Sequence, residues 1–126
     1  MISIAQWGLL ILLSLFLLLH FSILLRIIPY NLVWGGRLKT DKAMVRFEIF
    51  SVVVNTLFII LILTQAGFLT FDIPNKIMTY ALWFMTGLYL LNTVGNAISK
   101  NKFEKRFFTP ITILMAIFSF IIAFSN

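Results

Sequence analysis

From position 4 to position 28 the chain reads IAQWGLLILLSLFLLLHFSILLRII, an almost unbroken series of leucine and isoleucine. An α-helix rises about 1.5 Å per residue, so about 20 apolar residues cross the hydrocarbon core of a bilayer. The stretch therefore predicts a membrane-spanning helix. No Lys or Arg precedes it, and it is longer than the apolar region of a secretory signal, which has about 7–15 residues. We therefore expect it to be retained as a span.

Three more apolar segments of similar character follow, at about 47–69, 76–98 and 108–124. Of the 126 residues, 61% are hydrophobic and 11% are charged, whereas a soluble domain carries about 25% charged residues. The connections are too short for a separate soluble domain. The predicted fold is an all-α integral membrane protein, a single four-helix transmembrane bundle over residues 1–126 that consists of two helical hairpins.

The fourth segment shows two local signals. Thr109 followed by Pro110 has the form of an N-cap with proline at the first helical position, which predicts a helix start there. Small residues then recur at helical spacing, which favours close approach of another helix. This stripe comprises Thr112, Ala116, Ser119 and Ala123.

The basic residues predict the orientation in the membrane. Nine of the ten lie around the first and third connections, whereas Lys76 alone borders the second. They are Arg26, Arg37, Lys39, Lys42, Arg46, Lys100, Lys102, Lys105 and Arg106. Because Lys and Arg are retained on the cytoplasmic side, we expect a cytoplasmic membrane protein with both termini outside. The net charge of +6 then indicates contact with anionic lipid headgroups rather than nucleic acid.

Polar residues cluster in the half of the spans that borders the basic connections. Because polar groups are costly in hydrocarbon, the helices are expected to turn them towards each other. The set is His20, Glu48, Ser51, Asn55, Asn92 and Asn96. It predicts a polar pocket open to the cytoplasm. The alternative is that these groups only connect neighbouring helices by hydrogen bonds.

The inventory of reactive groups is small. The chain has no cysteine, one histidine and four acidic residues, none of them near the centre of a span. Glu48 lies near the predicted start of its span, where Arg46 or a lysine could neutralise it. We therefore predict no catalytic residues, no metal site and no cofactor.

One segment before the second span predicts a contact with an anion. Gly35 and Gly36 allow backbone amides to converge, Arg37 can bind a phosphate in bidentate fashion, and Trp34 favours the headgroup zone. Lys39 adds a further charge. Lipid phosphate is the nearest anion in a membrane. The alternative is a tight turn with a basic anchor.

None of these residues indicates a catalytic function. We expect a non-enzymatic membrane protein, either an accessory or regulatory subunit or a protein that binds a lipid or another ligand. The first alternative is a small oligomeric transporter or channel with a polar pathway in its cytoplasmic half, and the next is a lipid-modifying enzyme. The expected partners are membrane lipids, with a second copy of the chain or another membrane protein.

Overall fold

A computed structural model describes residues 2–25, 41–99 and 102–126. These residues form four α-helices and no strand: α1 (Ile2–Leu24), α2 (Asp41–Gln65), α3 (Asn75–Ala97) and α4 (Lys102–Ser125). Each contains a stretch long and apolar enough to cross a membrane, namely Ile2–Leu24, Val45–Gln65, Asn75–Ala97 and Lys105–Ser125. The protein is all-helical over the described residues.

The helix bounds differ from the predicted spans at several ends. The described part of α1 ends at Leu24, and Leu25 is in a turn, although the apolar stretch continues to residue 28. α2 begins at Asp41, about two turns ahead of the predicted start at Phe47, because helices continue into charged segments outside the hydrocarbon. It ends before Gly67, whose φ of 88° suits glycine.

The predicted start of the fourth helix at Thr109 and Pro110 is wrong. α4 begins at Lys102, and Pro110 lies inside the helix. The residues ahead of the proline include Lys and Arg, which are good helix formers. Proline is also tolerated inside membrane-spanning helices, where neighbouring groups satisfy the backbone it leaves unpaired.

The four helices pack as an open bundle. α1 packs against α2 and α4, and α4 packs against α1 and most extensively against α3, whereas α2 and α3 barely touch. The apolar core fills the half of the bundle that contains the start of α1 and the end of α4. Its fully enclosed side chains include Leu9, Leu13, Ile62, Leu82, Met85 and Ile122.

We call one end of the bundle the basic end, because exposed cations surround it. The last residues of α1 and α3 and the first residues of α2 and α4 lie there. The described cations are Lys42, Arg46, Lys102, Lys105 and Arg106. At the opposite end, uncharged side chains connect all four helices. Gln6 Nε2 donates to Gln65 Oε1 at 2.6 Å, Gln65 Nε2 lies 3.5 Å from Asn126 Oδ1, and Asn126 Nδ2 donates to Thr79 Oγ1 at 2.8 Å.

The small-residue stripe of α4 lies in the interior, where Thr112, Ala116, Ser119 and Ala123 are all buried. On the facing helix α1, Gly8 gives similarly close contact. A Cβ atom at Gly8 would lie only 2.5 Å from Cε2 of Phe118 in α4. Small side chains therefore set the distance between α4 and its neighbours.

Candidate ligand site between α2 and α3

A cavity of about 380 Å³ lies at the basic end, where α2 and α3 are separated. All four helices contribute to its wall, α1 and α3 with their second halves, α2 with positions between 50 and 58, and α4 with positions between 108 and 115. Its size is at the lower limit for small-molecule sites, which are about 300–1,000 Å³. We call it the α2–α3 cavity.

The structure brings five of the six polar residues selected from the sequence to this one cavity. They are His20, Ser51, Asn55, Asn92 and Asn96. The sixth, Glu48, lies behind His20. The spacing within each helix explains the shared face, because residues three or four positions apart lie one above the other. The hydrogen bonds of these side chains show which of them are already satisfied within the protein.

Glu48 lies deeper than its predicted place near a helix end. It is about two turns inside α2 and 0% exposed. Its Oε2 lies 2.5 Å from Nδ1 of His20, which connects α1 to α2. α2 begins earlier than predicted, which places Glu48 at the level of the histidine. A contact of Glu48 with Arg46 or a lysine stays a prediction.

Two of the asparagines are partly satisfied by the protein itself. Asn55 Nδ2 donates to the backbone carbonyl of Ser51 at 2.8 Å, within α2. Asn96 Nδ2 donates to Thr112 Oγ1 at 3.3 Å, and Thr93 Oγ1 lies 3.0 Å from the same oxygen. The second set connects α3 to α4. Both amide nitrogens are used in this way, and both Oδ1 atoms have no hydrogen-bond partner among the described residues.

Two polar side chains of α3 are left unsatisfied by the described part of the chain. Tyr89 lines the cavity with 4% of its surface exposed, and its enclosed hydroxyl has no hydrogen-bond partner. Asn92 also lines the cavity, is exposed, and forms no hydrogen bond there. An enclosed polar group without a partner costs about 1–3 kcal/mol. The Tyr89 hydroxyl has almost no accessible surface, so a molecule in the cavity would meet the Asn92 amide and not this oxygen.

Sequence reasoning missed Tyr89, although a signal was present. Tyr89, Asn92 and Asn96 follow one another at spacings of three and four, so they share a helical face. A tyrosine on the polar face of a span is better treated as a hydrogen-bonding group.

Aromatic rings form much of the remaining wall: Phe16, Phe50, Phe58 and Phe108. Some of them pack across helices. The Phe58 ring of α2 meets the Tyr89 ring of α3 edge to face at 6.0 Å, and Phe16 of α1 lies 5.7 Å from Phe108 of α4. The cavity therefore offers apolar surface beside a few hydrogen-bonding groups, as ligand sites commonly do.

The other predicted contact, Trp34, Gly35, Gly36, Arg37 and Lys39, lies outside the described residues. In the described ranges no group of three or more His, Cys, Asp or Glu side chains could hold a metal ion. The α2–α3 cavity is thus the candidate site that the structure defines.

The fold and the site together define a class of protein: an all-helical chain with four helices able to span a membrane and a polar cavity between two of them. Comparison with known proteins adds no family to this description. No family model, no curated protein and no solved structure matches the chain.

Proposed function

We propose that the chain is a non-enzymatic membrane protein that binds a lipid or another membrane-dissolved amphiphile in the α2–α3 cavity. One observation carries the proposal: five polar side chains from three helices line one cavity beside aromatic rings, and the Asn92 side chain among them has no hydrogen-bond partner among the described residues. A bound polar group would satisfy that side chain.

The position of the cavity favours a ligand that enters from the membrane. α2 and α3 barely touch, so the space between them opens at the side of the bundle, towards the membrane. Two exposed lining residues, Phe50 and Leu91, belong to these helices. An amphiphile could place its polar end against α3 and its chains between the helices. The cavity is smaller than a whole lipid, which fits binding of the polar end alone.

The opposite half of the bundle argues against a pathway through a single copy. There, enclosed apolar side chains such as Leu13, Ile62 and Leu82 fill the interior beyond the cavity. A transported solute would have to displace that core. The transporter alternative therefore needs a pathway between copies, whereas the binding proposal needs one chain only.

A substitution that fills the cavity tests the proposal. Gly95 lines it, and a Cβ atom there would meet nothing within 4 Å, so Gly95→Leu is expected to occupy the space without a clash at Cβ. The matched control is Gly87→Leu on the same helix, where a Cβ atom also meets nothing but the residue is exposed and outside the cavity lining.

Each variant would be extracted with its surrounding lipid in polymer-bounded particles and analysed by native mass spectrometry. The wild type and Gly87→Leu are expected to retain about one small molecule per chain, and Gly95→Leu is expected to lose it. Equal retention by all three chains, or no retained molecule in any of them, would contradict the proposal.

The orientation forms part of the proposal. Both basic segments lie on the cytoplasmic side of the cell membrane, and both termini lie outside, because Lys and Arg are retained on the cytoplasmic side. The exposed cations at the basic end, including Lys42, Arg46 and Lys105, then contact anionic headgroups. The α2–α3 cavity accordingly lies in the cytoplasmic half of the bilayer.

A further inference from the structure

His20 offers a second nitrogen to the α2–α3 cavity. Its Nδ1 lies 2.5 Å from Glu48 Oε2, whereas its Nε2, at the other edge of the imidazole ring, has no hydrogen-bond partner in the described part of the chain. Unlike the Tyr89 hydroxyl, Nε2 is not fully enclosed. Because the histidine lines the cavity, Nε2 is available to a molecule that binds there.

The contact with Glu48 determines what Nε2 offers to a ligand. The hydrogen bond between Glu48 Oε2 and His20 Nδ1 holds one proton, whichever of the two atoms carries it. When the pair is neutral overall it holds a second proton, and that proton is on Nε2. A neutral pair is the less costly state inside a membrane. His20 then presents an N–H donor to the cavity, and the ligand needs an oxygen that accepts.

The remaining polar side chains of the cavity wall can both donate and accept. The Asn92 amide offers a donor and an acceptor, and Ser51 offers its hydroxyl. Asn55 and Asn96 offer Oδ1 alone, because their nitrogens are already bonded. Thr112 already bonds to α3 and to its own helix. The wall therefore suits a ligand that carries oxygens at more than one edge.

The apolar part of the wall suits a flat ring. Phenylalanine side chains from α1, α2 and α4 line it, and aromatic rings pack well against other rings in stacked or edge-to-face arrangements. On α3, Gly95 leaves the backbone bare, since a Cβ atom there would meet nothing within 4 Å. Glycine allows a ligand to approach the backbone closely. Asn92 and Asn96 lie on the same helical face as Gly95, so a ring placed on this glycine has amide groups at its edge.

We infer that the cavity binds the ring of a membrane quinone, with His20 Nε2 donating to one of its two carbonyl oxygens. This inference rests on the proposed function. The Asn92 amide donates to the second carbonyl oxygen. Over the described residues α1 and α3 barely contact each other, so His20 and Asn92 approach the cavity from different sides, as the opposed oxygens of a 1,4-quinone require. The isoprenoid tail leaves between α2 and α3, along Phe50 and Leu91.

The test uses nuclear magnetic resonance of the histidine itself. His20 is the only histidine in the chain, so labelling with ¹⁵N-histidine gives two side-chain nitrogen signals that belong to this residue. The whole chain is placed in nanodiscs of phosphatidylcholine and titrated with decylubiquinone. Nε2 is expected to be protonated before the titration, and its signal is expected to shift in a saturable manner. Decylbenzene has a ring and the same tail but no oxygens, and is expected to leave the Nε2 signal unchanged.

Variants that keep His20 test the rest of the site by the same titration. Asn92→Leu is expected to raise the dissociation constant of decylubiquinone about two- to tenfold, as for one hydrogen bond. Asn75→Leu makes the same change at an exposed position at the opposite end of α3, and is expected to leave the constant unchanged. Gly95→Leu is expected to abolish the shift. Unfolding temperatures of all variants show whether each chain is folded.

The outcomes separate the two proposals. If decylbenzene shifts the Nε2 signal as much as decylubiquinone does, or if Nε2 is unprotonated before the titration, the assignment of a quinone is overturned. If phosphatidylglycerol shifts the signal and decylubiquinone does not, the quinone is again overturned while the cavity remains a lipid site. If decylubiquinone changes neither signal and the native particles also retain no small molecule, both proposals are overturned.

Discussion

Substitution by alanine is expected to destabilise the protein at Gly8, which contacts Phe118, and to stabilise it at Gly87, which has free space around it. A Cβ atom at Gly8 would lie 2.5 Å and 2.8 Å from two ring carbons of Phe118, whereas carbon atoms pack at about 3.5–4.0 Å. In Gly8→Ala the ring or α4 must move by about 1 Å, and such overpacking costs about 1–3 kcal/mol. Alanine is favoured over glycine in a helix by about 1 kcal/mol. The expected net effect is a loss of about 1 kcal/mol in the free energy of unfolding.

Gly87→Ala is the matched control. A Cβ atom at Gly87 meets nothing within 4 Å, so only the helix preference acts and a gain of up to about 1 kcal/mol is expected. The free energies can be measured by equilibrium unfolding in mixed micelles, followed through the fluorescence of the three tryptophans, one of which, Trp7, has its ring 5.4 Å from that of Phe68. Gly8→Ala combined with Phe118→Leu should recover part of the loss. Equal stability of the two alanine variants would refute the close packing of α1 on α4.

Two further predictions concern the basic end and the orientation. In a double-mutant cycle, His20→Leu and Glu48→Leu should each destabilise the protein. The coupling free energy between them should be about 1.5 kcal/mol, near the upper value for intramembrane hydrogen bonds. Additive losses of stability would contradict a direct interaction. Because the chain has no cysteine, a single thiol can report topology. Ser3→Cys should react with a membrane-impermeant thiol reagent on intact cells and Lys102→Cys only after lysis, and the reverse pattern would overturn the proposed orientation.

The four helices were predictable because membrane length and apolar composition do not depend on which helix is a neighbour. The packing order was not predictable in the same way. α1 is apolar on almost every side, so its sequence does not distinguish the face that packs against α2 from the exposed face. The separation of α2 from α3, which creates the cavity, is a property of the whole bundle and has no local signal.

Errors at individual residues have similar physical causes. Thr109 and Pro110 are compatible with a helix start and also with a membrane helix that continues through proline, and the charged residues ahead of them form helix in this chain. Glu48 was placed near a helix end because the apolar run starts at Phe47. The helix α2 begins before its apolar run, because the residues ahead of that run are themselves able to form a helix.

The sequence allows two interpretations of the polar residues, a pocket or simple connection of helices, and the structure shows that some of them connect helices. His20 with Glu48 connects α1 to α2, and Asn96 with Thr112 connects α3 to α4. If connection were the only role, every polar group in this part of the bundle should find a partner within the chain, because unsatisfied groups are costly in hydrocarbon. Asn92 and the enclosed oxygens of Tyr89 and Thr109 find none among the described residues, and Ser119, which is outside the cavity lining, has none either. The proposal of a ligand therefore rests on Asn92 and on the cavity that it shares with other polar side chains, because an enclosed oxygen without a partner also occurs away from the cavity.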